Sequence, residues 1–483
     1  MAGILIAGTT SDAGKTVIAT ALCRALSRRG VRVAPYKAQN MSNNSMVCQA
    51  ADGRPAEIGR AQWVQALAAN AVPEPAMNPV LLKPGSDQRS HVIVMGHPWG
   101  ELSSSSWMHG REQLAASAHR AYDELASRYE LIVAEGAGSP TEINLRAGDY
   151  VNMGLARHAG LPVVVVGDVD RGGVFAAFYG TVALLSPEDQ ALVAGFVVNK
   201  FRGDKHLLAP GLSDLQRLTG RRVFGTVPWH PQLWLDSEDA LDLDGRRSAG
   251  TASRRVAVIR LPRISNFTDV DALGLEPELD VVFAATARAL SDADLVVLPG
   301  TRSTVSDLSW LRSRGLDTAI TAHVAAGKPV VGICGGFQML GRVIDDPDGI
   351  EGMPGRYRGL GLLDVETCFA ADKVLRLHQG AYEIHHGRVS MGAGVEEFGG
   401  GARAGQVFGT MRHGSFEDDV SRAAFLRAAL GLQASGVSFP AARERRLELL
   451  ADLVEEHLDV AALLELARGG APAGLAFLAP GAP

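Results

Sequence analysis

An apolar run at Gly3–Ala7 leads straight into Gly8-Thr9-Thr10-Ser11-Asp12-Ala13-Gly14-Lys15-Thr16, and a helical pattern follows through Ala25. Strand, glycine-bearing loop and helix in that order admit few folds. The loop N–H groups and the helix N-terminus must converge at the end of a buried strand, which is the arrangement of a parallel α/β sheet. A phosphate is stabilised there by the N–H groups and the helix dipole. Lys15 would reach the β- and γ-phosphates of a nucleotide, and the Thr16 hydroxyl would ligate Mg²⁺. Gly8, Thr9, Thr10, Asp12, Ala13, Gly14, Lys15 and Thr16 are accordingly the expected ATP-binding residues. The loop departs from the common form: five residues, not four, separate Gly8 from Gly14.

The same alternation recurs down the first half. Val31–Ala34, Leu131–Ala134, Pro162–Val166, Gly195–Val198 and Val223–Val227 read as short buried strands, with Glu57–Ala69 helical and Met77–Pro84 leading into another strand. This pattern predicts a doubly wound, mostly parallel sheet flanked by helices. Chemistry collects at the strand ends, where such sheets bind ligands. Glu135 closes one strand beside the phosphate loop and is placed to hold Mg²⁺ directly or through water. Asp168, Asp170 and Arg171 follow a second strand, and Asn199, also an expected ATP-binding residue, follows a third. The amide-rich stretch Lys37–Ser45, with Lys37, Asn40 and Ser42, follows a fourth and is a further candidate ligand site.

Length and composition bound the rest. At 483 residues the chain exceeds what one core usually serves, so at least two domains are expected. A net charge of −6 over this length argues against nucleic-acid or anionic-membrane partners. The four cysteines, at 23, 48, 334 and 368, are too scattered for a disulfide framework or a C-x-x-C metal pair. No apolar run is long enough to span a bilayer, and a soluble cytoplasmic protein is expected. Asp236–Arg255 is acidic, then rich in Gly, Ser and Arg, with no sustained apolar period. It reads as a linker between a first domain at 1–235 and a second at 256–450. Residues 451–483 are expected to form a C-terminal helix and a disordered Gly/Ala/Pro-rich tail.

Strands resume at Val256–Ile259 and Asp294–Leu298, and the run Val330–Ile333 stops at Cys334. Gly332-x-Cys334-x-Gly336 has the form of a nucleophile elbow: flanking glycines let strand and helix pack closely while the central side chain sits on a strained turn. The Gly335 N–H and the helix N-terminus would lower the thiol pKa and stabilise an oxyanion. A thiolate needs a base, and the second half offers His323, His378, His385, His386, His413 and His457. His323 and His457 lie in helical patterns and are expected at the surface. His413, after the expected strand Gln406–Gly409, is the preferred general base.

Several of these stretches carry a family resemblance. Gly8–Thr16, with its five-residue spacer, looks like the loop of dethiobiotin synthetase and its ATP-dependent relatives. Lys37-Ala38-Gln39-Asn40-Met41-Ser42, Met77–Pro84 and Gly167-Asp168-Val169-Asp170-Arg171-Gly172-Gly173 are similar to the cobyric acid synthase family. Gly332–Gln338 resembles the Cys-triad glutamine amidotransferases. There, the resemblance assigns Gly300 and Gly335 to the oxyanion hole, Gln338 to glutamine binding and His413 to the catalytic base. Most such glutaminases carry Glu two residues after the His, where this chain has Ser415. The cobyric acid synthase branch also lacks that Glu, which leaves the third member open, with Glu417 a weak candidate. Tyr382-Glu383-Ile384-His385-His386-Gly387 resembles another motif of the branch, with a pocket wall and a domain contact both open as its role.

The resemblance implies amidation of the b, d, e and g carboxylates of adenosylcobyrinic acid a,c-diamide. Glutamine hydrolysis supplies ammonia, and ATP with Mg²⁺ supplies an acyl phosphate, with no prosthetic group. Lys37, Asn40, Ser42, Asp168, Asp170 and Arg171 would then serve the carboxylate and acyl-phosphate region. The expected partners are a corrinoid, glutamine and ATP. Alternatives are a cobyrinic acid a,c-diamide synthase, a nucleotide-switch ATPase with an inert second domain, and a dethiobiotin-type carboxylase.

Overall fold

The computed structural model describes residues 2–84, 89–103, 107–230 and 252–479. The first half is built on a six-stranded sheet in the order Arg222–Pro228, Val193–Phe201, Val163–Asp168, Gly3–Gly8, Leu131–Glu135, Val33–Tyr36. All its pairings are parallel. Such a sheet must be covered on both faces. Alternate residues of one strand accordingly serve different cores. Leu5 and Ala7 face a core with Leu114, Ala118 and Phe178. Ile4 and Ile6 face another with Ile18, Leu22 and Leu26 of the helix Lys15–Arg28.

That second core also takes Leu447, Leu450 and Leu463, from the far end of the chain. The helix Phe439–His457 lies along Lys15–Arg28, where Arg24 reaches Glu444 at 2.8 Å and Arg28 reaches Asp452 at 2.7 Å. It crosses the expected boundary at 450 without a break; its leucines pack on the first domain, while Phe439 at its start is buried in the core of the second. The apolar face of Lys15–Arg28 needs a cover, and the leucines of this helix supply one. The expected C-terminal helix is split between Phe439–His457 and Val460–Gly469. Asp459 interrupts it and caps Val460–Gly469, accepting a hydrogen bond from Ala462 N at 2.9 Å. The tail expected to be disordered is held as far as Leu478, which is 7% exposed and donates to Gln190 Oε1 at 2.9 Å.

The second half carries a seven-stranded sheet in the order Leu279–Ala284, Arg254–Ile259, Leu295–Leu298, Val330–Ile333, Val407–Thr410, Gly401–Ala404, Glu396–Phe398. The first five strands are parallel, and the last two pairings, Val407–Thr410 with Gly401–Ala404 and Gly401–Ala404 with Glu396–Phe398, are antiparallel. A separate four-stranded sheet contains the long hairpin Val365–His378 and Ala381–Met391. That hairpin packs on a short hairpin of the first half, Ser45–Gln49 with Pro55–Gly59. The expected helix over 57–69 is therefore strand to Gly59 and helix only at Arg60–Ala68. Glu57 points from that strand into a buried interdomain contact, and pairing overrides its helical propensity. Most of the expected linker, 236–251, lies outside the described residues, and strand structure has begun by Arg254. Among the described residues no helix is long and apolar enough to cross a membrane.

Candidate active site

Cys334 sits between the strand Val330–Ile333 and the helix Gly335–Leu340 with φ 51° and ψ −109°, a backbone state that non-glycine residues rarely hold. Close packing explains the flanking glycines. A Cβ on Gly332 would lie 2.6 Å from Phe337 N, and one on Gly336 would lie 2.0 Å from Leu298 O. The thiol is buried, with Sγ 3.8 Å from Ile384 O.

His413 follows the strand Val407–Thr410, which pairs directly with the cysteine's strand. Its backbone exchanges two hydrogen bonds with Tyr382, at 2.8 and 3.0 Å, and its ring stacks on the Tyr382 ring. Its Nδ1 lies 2.7 Å from Asp269 Oδ2, and Asp269 Oδ1 accepts the Gly414 N–H at 2.8 Å. All three side chains are at most 6% exposed. Burial alone would lower the His413 pKa, but the Asp269 carboxylate and the hydrogen-bonded Cys334 raise it well above the imidazole range. Cys334, His413 and Asp269 thus form a line in which a thiol proton can rest on the imidazole.

Asp269 was not among the sequence candidates. It lies 144 residues before His413, in the short 3₁₀ turn Phe267–Val270 after the strand Arg254–Ile259. A carboxylate beyond a strand of the same sheet edge was the available signal. Glu417, the weak candidate for this place, does not reach the histidine. It pairs with Arg60 at 2.6 Å and Arg443 at 2.5 Å. Ser415 donates to Arg412 O at 3.0 Å. His323, expected at the surface, is 7% exposed, and its Nε2 meets Pro329 O at 3.1 Å just before the elbow strand. The loop turns that ring inward over the strand's start.

Cys334, His413, Gly335 and Gln338 line one cleft. Gly300 abuts it, since a Cβ there would lie 2.9 Å from His413 Cε1. Gln338 Oε1 accepts from Thr304 Oγ1 at 3.1 Å, and Thr304 N donates to Glu351 Oε2 at 2.7 Å. Burial pushes the Glu351 carboxyl up to about 7, although Arg302, 3.5 Å away, pulls it down. The cleft therefore offers opposite charges beside the thiol, and neither residue was singled out from sequence. Ile384, His385 and His386 also line the cleft, while Tyr382 and Ile384 belong to the first half's core. The motif Tyr382–Gly387 is thus both pocket wall and domain contact.

In the first half, Lys15 is 4% exposed and donates to Thr10 O, Ser11 O and Gly138 O at 2.9–3.1 Å. Thr16 Oγ1 donates to Glu135 Oε1 at 2.7 Å, Lys37 Nζ to the same oxygen at 3.0 Å, and Gln65 Nε2 to Oε2 at 2.6 Å. Burial alone would raise the Glu135 pKa, but Lys37 and these hydrogen bonds hold it below the ordinary carboxylate value. Asn199 Nδ2 donates to Ala13 O at 2.9 Å, which fixes the loop between Gly8 and Gly14. Asp168 lies on the other flank, where Lys200 donates to its Oδ2 at 2.9 Å and to Asp12 O at 2.8 Å. Arg171 pairs with Asp12, and Asp170 with Arg202 at 3.2 Å. Lys37 therefore joins the loop cluster, and Asp168, Asp170 and Arg171 its rim. Asn40 is set apart against Gln62 Oε1 at 3.0 Å, and Ser42 accepts from Asn44 N at 3.0 Å.

Residues 4–242 match the CobQ/CobB/MinD/ParA nucleotide binding domain, and residues 255–420 match the CobB/CobQ-like glutamine amidotransferase domain. Cobyric acid synthase of Mycolicibacterium gilvum is 74% identical, that of Mycolicibacterium vanbaalenii 73%, and that of Mycobacterium tuberculosis strain H37Ra 72%, each alignment covering 100% of both chains. The chain belongs to the cobyric acid synthase family.

Proposed function

We propose that this chain amidates the b, d, e and g side-chain carboxylates of adenosylcobyrinic acid a,c-diamide, using ATP and glutamine. The observation that carries the reading is the pairing in one chain of a strained, buried Cys334, in line with His413 and Asp269, with a lysine–threonine–glutamate cluster at a phosphate loop. The first is equipped to make ammonia and the second to activate an acid.

In the second domain, Cys334 gives its proton to His413 and attacks the side-chain amide carbon of glutamine. The tetrahedral oxyanion is stabilised by the backbone N–H groups of Gly335 and the Gly300 region. His413 returns the proton to the departing ammonia, and water then cleaves the thioester to glutamate. Asp269 holds the imidazole by Nδ1 throughout. The opposed charges of Arg302 and Glu351 suit the α-carboxylate and α-ammonium of free glutamine.

In the first domain, Lys15 and the loop N–H groups stabilise the phosphoryl group as it moves from ATP to the corrinoid carboxylate. Ammonia displaces that phosphate and leaves an amide. Thr16 and Glu135 are hard oxygen donors whose oxygens lie 2.7 Å apart, a set that suits Mg²⁺ with further ligands from phosphate. The ion would neutralise charge on the β- and γ-phosphates. Among the described residues no cluster of three or more His, Cys, Asp or Glu could hold a metal, so the nucleotide would complete the shell. Lys37, beside Glu135, and Asp168 and Arg171, at the loop rim, are assigned to the acceptor region. Incubation with either cobyrinic acid or its a,c-diamide, followed by mass analysis, tests the substrate assignment. Amidation confined to the a and c positions of cobyrinic acid would contradict it.

A further inference from the structure

The amide-rich stretch after Val33–Tyr36 serves a second purpose beyond the edge of its own sheet. Asn44 is 1% exposed, and its Oδ1 accepts the Phe267 N–H at 3.2 Å from the second domain. In return Asn266 Oδ1 accepts the Ser45 N–H at 3.0 Å. Asn266 holds a left-handed backbone, φ 49°, and opens the turn that carries Asp269 three residues later. Such a backbone persists where surrounding contacts fix it. Asn44 also accepts the Arg60 N–H at 3.1 Å through its carbonyl. Arg60, 1% exposed, reaches Glu417 at 2.6 Å, and Glu417 N donates to Gly414 O at 2.8 Å, closing the turn next to His413.

We propose that Asn44 and Arg60 are positioning residues for glutamine hydrolysis, holding from the first domain the two turns that carry Asp269 and His413. The inference rests on the glutaminase reading above. Two separate interdomain contacts, tied together by the Arg60–Asn44 bond, end within four residues of Asp269 and of His413. A glutaminase centre set this way is complete only when the first domain is seated. A displacement of the base by about 1 Å can lower a rate on the order of a hundredfold.

The test uses the full chain with Asn44→Ala and Arg60→Ala, plus the conservative Asn44→Asp and Arg60→Lys. Glutamate release, ammonium-driven amidation and the pH profile of Cys334 alkylation by iodoacetamide are measured on each. For the alanine variants, kcat for glutamate release is expected to fall on the order of tenfold to a hundredfold. KM for glutamine and ammonium-driven amidation should stay within about twofold, and the pH profile of alkylation should differ from the parent's as His413 loses its fixed partner. Asn44→Asp keeps an acceptor for the Phe267 N–H, and Arg60→Lys keeps the charge on Glu417, so both should recover much of the loss. If an alanine variant fails to fold, Glu417→Gln removes the opposite charge of the Arg60–Glu417 pair at nearly constant shape and should give the same split. Glutamate release unchanged in folded variants, or a parallel fall in both activities with no shift in alkylation, would overturn the inference. An unaltered chain that releases no glutamate would instead overturn the reading beneath it.

Discussion

Replacing Asp269 by Asn isolates the electrostatic part of the Cys334–His413–Asp269 line. The carboxylate accepts two hydrogen bonds, 2.7 Å from His413 Nδ1 and 2.8 Å from Gly414 N, and is 2% exposed. An amide keeps the shape and one acceptor, but its NH₂ must face one of those two donors. It also removes the charge opposite the imidazolium. Two unit charges about 4 Å apart interact by about 4 kcal/mol at an effective dielectric constant near 20. At about 1.4 kcal/mol per decade, that sets a ceiling of about 10³-fold on the rate loss. An expected fall of about 10²-fold in kcat for glutamate release allows for partial rearrangement, and it lies within the usual range for acid–base catalysis. Ammonium-driven amidation of the corrinoid, in the other domain, should stay near the parent rate. Glutamate release within about threefold of the parent would refute the assignment of that charge to Asp269. An equal fall with ammonium would mean that the substitution disturbs the fold, not the imidazole.

Glutamine binding should respond to pH through Glu351, whose pKa burial raises to about 7. Below that pH the carboxyl is protonated and cannot pair with the substrate ammonium, so KM for glutamine should rise as the solution is acidified. Glu351→Gln should remove that dependence and raise KM at neutral pH by about tenfold or more, the loss of a charged hydrogen bond, measured by glutamate release against glutamine concentration. Gly336→Ala drives a methyl to 2.0 Å from Leu298 O. It should lower stability by about 1–3 kcal/mol in a denaturant titration and abolish glutamate release. Lys15→Ala should remove both glutamine- and ammonium-driven amidation by at least about 10²-fold while leaving glutamate release in place.

Much of this arrangement is legible in the chain because its parallel strands are short, apolar and closed by glycine or polar clusters. Val330–Ile333 spans the same residues in sequence and structure, and Leu131–Ala134 needs one added residue, Glu135. Local chemistry is equally readable: a strand, a glycine and a helix suffice to mark Lys15, Thr16 and Cys334 as adjacent to turns. Long-range geometry is less so. Asp269 lies in a 3₁₀ turn with no period of its own, and only the sheet order brings it to His413. Glu57 reads as helical but pairs as a strand, because Lys373 of the other domain draws it into the interface at 2.6 Å. The amphipathic stretch after Pro440 has the right period, yet nothing in that period says which domain it covers.

In the proposed reaction two sites in one chain cooperate, the second domain making ammonia and the first consuming it. Mass spectrometry of adenosylcobyrinic acid a,c-diamide, incubated with ATP, Mg²⁺ and either glutamine or an ammonium salt, tests it in the parent and in Cys334→Ser. Four amidations are expected from either nitrogen source in the parent. With Cys334→Ser, amidation is expected from ammonium alone. A Cys334→Ser chain that still amidates from glutamine, or one that binds ATP yet cannot use ammonium, would contradict it.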